Sequence, residues 1–420
     1  MRSRSLSLLA VVVLSVTTSA RAQGIQGSGA LSLRDALREA IRANPELIVL
    51  QRQYEAAQAA IPEARFLEAP MFETQIWGWP VTAINPARTD MYMFMTEQAL
   101  PGRGKRQARE VVVTRDAELS RQQIAVRSSS ILNEVKQAYA ELLLARATLA
   151  LYQQQTPLLE DAAEAATLRY ASGHSGQRDT VTSVVELSRL GTDSIEWRER
   201  ARVAETRVNV LLGRAPDAPV TVVAGVDGDV PSLVDAERMA LERNPEVAMA
   251  SVEISREEAE LARLRGERRP DFVVGGGYML QPGGAGAWTA RGAMTWPNAP
   301  WARGRLTTSL ETQEKRVLAA RARRDAVMSG VRREIHEALV HVEAARDRAR
   351  LLESSVIPHI EHVFEAARVA YVSDRGEFTD LLETQRVLLS TRMEVASARA
   401  DLARAVGDLE MALGAIPEDK

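Results

Sequence analysis

The chain has 420 residues, of which 45% are hydrophobic and 26% charged, and this balance excludes a wholly disordered protein. With 53 Lys and Arg against 56 Asp and Glu, the net charge of −3 gives no indication of a nucleic-acid-binding protein. The sequence has no cysteine, so it predicts no disulfide framework, thiolate metal site, cysteine nucleophile or N-terminal lipoprotein anchor.

The first segment has the pattern of a secretory signal peptide. Arg2 and Arg4 form a basic start, residues 6–16 an apolar stretch, and Ala20-Arg21-Ala22 a small-residue cleavage site. The apolar stretch is shorter than the roughly 20 residues that a membrane-spanning helix needs. We therefore predict that residues 1–22 are removed and that the chain is exported.

Most of the remaining sequence is an internal duplication. Matching positions lie 200 residues apart without a gap, and the offset becomes 201 after one inserted residue. The sequence predicts a first repeat at 23–213, a linker at 214–231 and a second repeat at 232–420. The matches include Asn44-Pro45-Glu46 with Asn244-Pro245-Glu246, Arg103-Gly104 with Arg303-Gly304, and Pro157 with Pro358.

Each repeat begins with a predicted amphipathic helix of about 30 residues that ends before Pro70 or Pro270. Ser32 and Ser232 are the predicted N-caps, each with an acidic residue three positions later. The Asn-Pro-Glu triplet predicts a break, because the residue before proline is biased out of the helical region.

A pair of predicted strands follows in each repeat, at 71–98 and at 272–296. Each strand has about 8–10 residues, the length of a tilted strand that crosses a bilayer. The last strand alternates apolar residues on one face with polar residues on the other. An ordinary soluble hairpin with buried aromatic residues is the alternative. Aromatic residues near the strand ends are the candidate membrane girdle: Trp77, Trp79, Tyr92, Tyr278, Trp288 and Trp296.

Long helices complete each repeat, at 104–212 and 304–413. In the first repeat we predict a helix at 104–155 and another at 157–212, interrupted at Gly173–Gly176. Fifty-two residues give roughly 78 Å of helix, which no compact globular core accommodates. Apolar residues at three- and four-residue spacing indicate coiled-coil-like packing. The predicted fold class is therefore mainly α, with antiparallel helical hairpins and membrane β-strands.

Four strands are too few to close a membrane barrel, which needs about eight. Three chains with four strands each would supply 12 strands. The long helices would then form a tube below the barrel. Such a tube, open at both ends, would be a conduit.

At these residues the sequence resembles the TolC-like outer-membrane efflux family. The resemblance rests on the opening of each repeat, the paired strands, the long helices and the Tyr-x-Ser turns followed by glycine. Within the family, residues 97–106 resemble the heavy-metal branch that serves Czc- and Cus-type pumps.

The resemblance implies a homotrimer with a 12-stranded barrel in the outer membrane of a Gram-negative bacterium and a periplasmic helical α-barrel tunnel. It implies a periplasmic adaptor and an inner-membrane pump, usually of the proton-driven RND class. The protein would be a passive duct that uses no cofactor and catalyses no reaction. Many relatives carry a lipidated N-terminal cysteine, whereas this sequence has Gln23 there.

The turns between the long helices are the candidate periplasmic tip. By resemblance, Asp380 and Glu383 follow the second turn at the tunnel entrance, and three chains would form a ring of six carboxylates. Such a ring attracts cations and repels anions. The alternative is a solvated helix face. The candidate residues for tip gating or adaptor contact are Gly173, Asp179, Asp374, Arg375 and Gly376.

Two groups of residues raise the question of metal binding. His359 and His362 share a helical face but lack a clear third ligand, so we expect solvent-facing or capping histidines. Met91, Met93 and Met95 alternate along one strand, and we expect lipid-facing or packed methionines rather than a metal site. The sequence shows no nucleophile–base pair, phosphate loop or metal-hydrolase motif, so we predict no enzyme.

Three functions remain open on the sequence. The favoured one is an export duct, with heavy-metal cations as the favoured cargo. The second is a periplasmic coiled-coil protein, structural or adaptor-like, without membrane strands. The third is the same duct serving type I protein secretion.

Overall fold

The computed structural model describes residues 30–79, 81–82, 89–173, 176–223, 231–373 and 375–414. The predicted signal peptide and Asp374 lie outside these residues. The first half contains α1 (Leu33–Ala43), α2 (Pro45–Ala59), a 3-10 turn (Pro62–Arg65), β1 (Met71–Trp77), β2 (Met91–Leu100), α3 (Lys105–Ala171) and α4 (Gln177–Leu211). The second half contains α5 (Leu233–Arg243), α6 (Pro245–Gly266), β3 (Phe272–Leu280), β4 (Ala287–Met294), α7 (Arg303–Leu351), a π-helical turn (Leu352–Val356), α8 (Ile357–Val372) and α9 (Phe378–Ala412).

The Asn-Pro-Glu triplet divides the first helical segment of each half into two helices. Asn44 ends α1 and caps α2, because its Oδ1 accepts a hydrogen bond from the Glu46 N–H at 2.9 Å. Asn244 does the same for α6, with the Glu246 N–H at 2.9 Å. The predicted serine N-caps are also present, each accepting from the aspartate N–H three residues later: Ser32 and Ser232.

The first long helix continues through Pro157, where the sequence predicts a boundary. α3 has 67 residues and is roughly 100 Å long at about 1.5 Å per residue. Proline removes one N–H donor from the helix interior. Helical packing nevertheless continues beyond it, because Leu159 and Ala166 are buried against the start of α9. The prediction of two helices meeting at residues 155–157 is therefore wrong, and the turn lies at Ser172–Gly173.

The corresponding region of the second half contains the π-helical turn Leu352–Val356. It lies where the offset between the two copies changes from 200 to 201 residues. A π turn accommodates one extra residue within a continuous helical segment. The inserted residue is therefore absorbed between α7 and α8, without a loop.

Two equivalent apolar cores hold the hairpins together. One lies between α1, α3 and α4, and the other between α5, α7 and α9. Their members correspond at the repeat offset, so the same positions of each copy are buried. The pairs are Ile131 with Val331, Val135 with Ile335, Ala138 with Ala338, Leu142 with Val342, and Val208 with Leu409.

The four strands form one antiparallel sheet in the order β1-β2-β3-β4. The two halves meet within it, because β2 pairs with β3 from Tyr92↔Leu280 to Leu100↔Phe272. Within the described residues, β1 and β4 each pair on one side only. β2 runs two residues beyond the predicted 98, and β4 ends at Met294, two residues before Trp296.

Among the described helices, none combines the length and apolar character that crossing a membrane requires.

Candidate functional site

The two faces of the sheet differ in exposure and polarity. Alternate residues on one face are exposed and mostly apolar, whereas those on the other face are less exposed and include polar side chains. The apolar face is therefore the more exposed of the two and is called the outer face, and the polar face is called the inner face. An apolar outer face is what contact with lipid requires. The outer face includes Phe72, Ile76, Phe94, Val274, Tyr278 and Trp288.

Hydrogen bonds connect the side chains of the polar face. Arg291 pairs with Glu97 across the sheet, at 2.6 Å between Nη1 and Oε1. Gln75 donates to Glu73 at 2.7 Å, and the indole N–H of Trp77 donates to Gln75 at 3.0 Å. These contacts give the inner face a polar, partly charged lining.

The candidate girdle residues divide between the faces. Tyr278 and Trp288 lie on the apolar face with their rings edge to face at 5.2 Å, and Tyr92 shares that face. Trp77 lies on the polar face instead, because it is two residues after Gln75 on the same strand. The remaining two follow strand ends: Trp79 after β1 and Trp296 after β4.

The methionine run of β2 also lies on the polar face. Met91, Met93 and Met95 alternate along β2 with the residues of the exposed apolar face, and Met95 is only 9% exposed. Met93 is the cross-strand partner of Met279 on β3. Of the two alternatives in the sequence analysis, these residues are packed rather than lipid-facing.

An ion-pair cluster fixes the junction between sheet and helices. Lys105, at the start of α3, is only 6% exposed and contacts Asp271 at 2.8 Å and Glu267 at 2.9 Å. Asp271 also accepts from the Gly102 N–H at 2.7 Å. Burial raises the pKa of Asp271, but the hydrogen bonds from Lys105 and Gly102 outweigh it, so the net pKa is lowered. Burial lowers the pKa of Lys105, and its two carboxylate partners turn the net shift upward.

The two helical turns lie side by side. The guanidinium of Arg169, near the end of α3, lies 4.9 Å from the ring centre of Tyr371, near the end of α8. Gly173 ends the first turn with φ of 77°, a conformation that favours glycine. The other candidate tip residues among those described lie at the same end of the hairpins, where Arg375 is exposed and Asp179 and Gly376 are half-buried.

Asp380 and Glu383 are both exposed near the start of α9. Between them Leu381 and Leu382 are buried, and Leu382 packs against α3 residues such as Leu159. The two carboxylates therefore point away from the packed face of α9. Their geometry is compatible with the expected ring and with a solvated face.

Two of the histidines, His336 and His359, contact oxygen atoms of the protein. Nδ1 of His359 lies 2.6 Å from the carbonyl oxygen of Ser355, one helical turn earlier. Nε2 of His336 lies 2.8 Å from Oε1 of Glu237. Across the described ranges, no three His, Asp or Glu side chains are grouped as a metal site would need.

Sequence reasoning missed the Lys105 cluster. Asp271, one of the two partners of Lys105, corresponds to Met71 in the first half. The comparison of the two repeats therefore did not single out Asp271 as a functional position. An isolated Asp immediately before β3 and a Lys five residues after the end of β2 become a pair only through the β2–β3 register. The strand order was the information that the sequence lacked.

Comparison with known proteins gives three findings. Residues 237–415 match the family model described as "Outer membrane efflux protein". The chain is 23% identical over 370 residues to the cobalt-zinc-cadmium resistance protein CzcC of Cupriavidus metallidurans, covering 86% of this chain and 85% of that protein.

Solved outer-membrane channels share the fold. The CusC structure superposes with a TM-score of 0.77 at 15% identity, covering 91% of this chain and 92% of CusC. VceC of Vibrio cholerae gives a TM-score of 0.74 at 16% identity, covering 91% and 96%. These likenesses confirm the predicted fold class.

Proposed function

The chain belongs to the TolC-like family of outer-membrane efflux proteins, a family of passive channels rather than enzymes, and we propose that it is the outer-membrane duct of a tripartite efflux system. Its partners would be a periplasmic adaptor and an inner-membrane pump, the pump most often of the RND class. The pump would supply the energy for transport, because the channels of this family are passive.

The observation that carries this proposal is the four-stranded sheet with an apolar outer face, whose edge strands β1 and β4 each pair on one side only within the described residues. A lipid-exposed sheet edge leaves backbone groups without partners, so the sheet must close. Three chains, with β1 of one pairing with β4 of the next, give 12 strands. The polar face would then line the lumen, and the helical hairpins would form the periplasmic tunnel.

We propose heavy-metal cations as the cargo. The support is the similarity to CzcC, a protein named for cobalt, zinc and cadmium resistance, over most of both chains. Drug export and type I protein secretion use ducts of the same design, and the pump selects the cargo. The discriminating test is the metal tolerance of cells that lack this chain.

We further propose that Asp380 and Glu383 form an acidic ring at the tunnel entrance. Both are exposed on the face of α9 that its own hairpin leaves uncovered. Around a threefold axis they would bring six carboxylates together and favour cations. Gly173, Asp179, Arg375 and Gly376 lie at the same end and would form the tip that meets the adaptor.

The experiment is single-channel recording of the purified protein in a planar bilayer, together with its mass by light scattering in detergent. We expect a trimer and discrete conductance steps. A folded monomer that never inserts would overturn the duct. Conducting channels whose loss leaves metal tolerance unchanged would overturn only the cargo.

A further inference from the structure

We propose that a row of methionines on the polar face of the sheet is a contact site for soft monovalent cations, Cu⁺ or Ag⁺, at the outer end of the duct. The methionine row consists of Met91, Met93 and Met95 on β2 and Met279 on β3. This inference rests on the proposed function, because it takes the polar face as the lining of the lumen.

The sheet register brings the thioethers together. Met93 and Met279 are direct cross-strand partners, and side chains in such positions have Cβ atoms about 4.5–5.5 Å apart. Met91 and Met95 lie two residues to either side of Met93, on the same face and about 7 Å away. Methionine has three rotatable bonds, so two or three sulfur atoms of the row can reach one ion.

Glycines on β3 make room for the row. A Cβ at Gly277 would lie 2.9 Å from Cγ of Met95, and one at Gly275 would lie 3.0 Å from Cγ of Glu97. The side chains of Met95 and Glu97 therefore lie across β3, over positions that have no side chain. This arrangement keeps Met95 beside the Met93–Met279 pair.

The donor chemistry selects a class of cation. Thioether sulfur is a soft, uncharged ligand that suits Cu⁺ and similar ions and binds hard cations poorly. An ion moving through a duct must bind weakly enough to leave, which neutral ligands at several neighbouring positions permit. Glu73, the cross-strand partner of Met95, places a carboxylate at the same level.

The position of the row fits the last stage of export. Met91 and Met279 lie at the strand ends next to the β1–β2 and β3–β4 connections, away from the helices. The charged Glu97–Arg291 pair lies nearer the helical end of the same face. Three chains would repeat the row around the lumen, so a soft cation would meet thioethers after passing the charged pair.

Silver binding by the purified full chain tests this inference. Detergent-solubilised protein is dialysed against silver nitrate in chloride-free buffer, and retained silver is measured by mass spectrometry. Met93→Leu/Met279→Leu preserves side-chain volume but removes two sulfurs. Met294→Leu is the matched control, because Met294 lies on the opposite face and is 65% exposed.

We expect the wild type and the Met294 variant to retain silver and the double variant to lose most of it. Retention of wild-type silver by a double variant with unchanged circular dichroism would overturn the site. Channel recording on the same preparations separates the two proposals. Channels that form without silver binding would contradict the methionine site and support the duct. Silver bound through Met93 and Met279 by a protein that forms no channels would support the methionine site and contradict the duct.

Discussion

The side-chain amide of Asn44 donates a hydrogen bond to the carbonyl oxygen of Leu211, 2.9 Å away and 167 residues later in the chain. Asn244 makes the same bond to Ala412 at 3.1 Å. Each asparagine thus caps one helix with its oxygen and holds the end of a long helix with its nitrogen. This double use explains why the Asn-Pro-Glu triplet stands in both halves.

Asn44→Ala is expected to lower stability by about 1–3 kcal/mol, because it removes an N-cap and leaves the partly buried carbonyl of Leu211 without its donor. Asn44→Ser keeps an N-capping oxygen and loses the amide donor to Leu211, so its loss of stability should be smaller. Thermal unfolding in detergent measures both. Equal losses in the two variants would contradict a separate contribution from the cap.

Gly213→Ala is expected to destabilise the protein by more than about 1 kcal/mol. Gly213 has φ of 69°, and a Cβ there would lie 2.4 Å from the carbonyl oxygen of Ala43. Gly191→Ala is the control, since Gly191 lies inside α4 with nothing within 4 Å of a built Cβ. There the change should stabilise the helix by up to about 1 kcal/mol. Melting temperatures that fall in both variants would refute the expected difference in sign.

The Lys105–Asp271 pair predicts a pH dependence. The folded-state pKa of Asp271 is below its usual value, so its contribution to stability is present above the unfolded pKa of about 3.9 and disappears as pH falls through the folded value. Asp271→Asn should therefore be less stable than the wild type at pH 7 and should lose less stability on acidification. Melting temperatures between pH 7 and pH 3 test this, and parallel curves would disprove it.

The two halves differ in one electrostatic contact. In the first half Arg127 pairs with Glu46 at 2.7 Å and with Glu134 at 2.6 Å. Val327 stands at the position of Arg127 in the second half, so Glu246 and Glu334 lack this bridge. Burial and then the charge of Glu246 raise the pKa of Glu334.

A carboxyl with a raised folded-state pKa opposes folding when it is ionised. Glu334→Gln is therefore expected to stabilise the protein at pH 7, by no more than about 1 kcal/mol because the side chain is half exposed, and to have no effect below about pH 4. Glu134→Gln should have the opposite sign at pH 7, since it removes a partner of Arg127. Denaturant midpoints of the two variants at both pH values decide the matter.

The proposed acidic ring predicts an ion preference. Asp380→Asn/Glu383→Gln should lower the cation-to-anion permeability ratio, because six carboxylates would be lost from the entrance of a trimer. Asp217→Asn is the control, as Asp217 is exposed outside the helical hairpins. Reversal potentials in a salt gradient measure the ratio, and an unchanged value in the double variant would assign the pair to a solvated face.

Much of the fold could be predicted from the sequence, because duplication made each signal appear twice. The serine caps, the Asn-Pro-Glu break and the strand pairs all followed from local chemistry that both halves share. The family resemblance and the outer-membrane location also agree with the family model that matches residues 237–415. The alternative of a periplasmic protein without membrane strands does not agree with that family.

What the sequence left open depends on contacts between distant segments. The boundary at Pro157 was misplaced because local propensity at a proline cannot weigh the packing of Leu159 against α9. The faces of Trp77 and the methionine row were undecided until the register showed which residues share a side of the sheet. The residues of the proposed entrance and tip remain predictions, since their roles depend on neighbouring chains.

The π-helical turn has a consequence for symmetry. Each chain contributes two similar hairpins, so three chains would surround the tunnel with six. Only one hairpin of each pair contains the extra residue within Leu352–Val356. A ring of six would therefore alternate between plain and bulged helices, and neighbouring hairpins would not be interchangeable. A partner surface that is complementary to one type of groove would bind at every second groove of the tunnel. Such a partner would have three preferred positions instead of six.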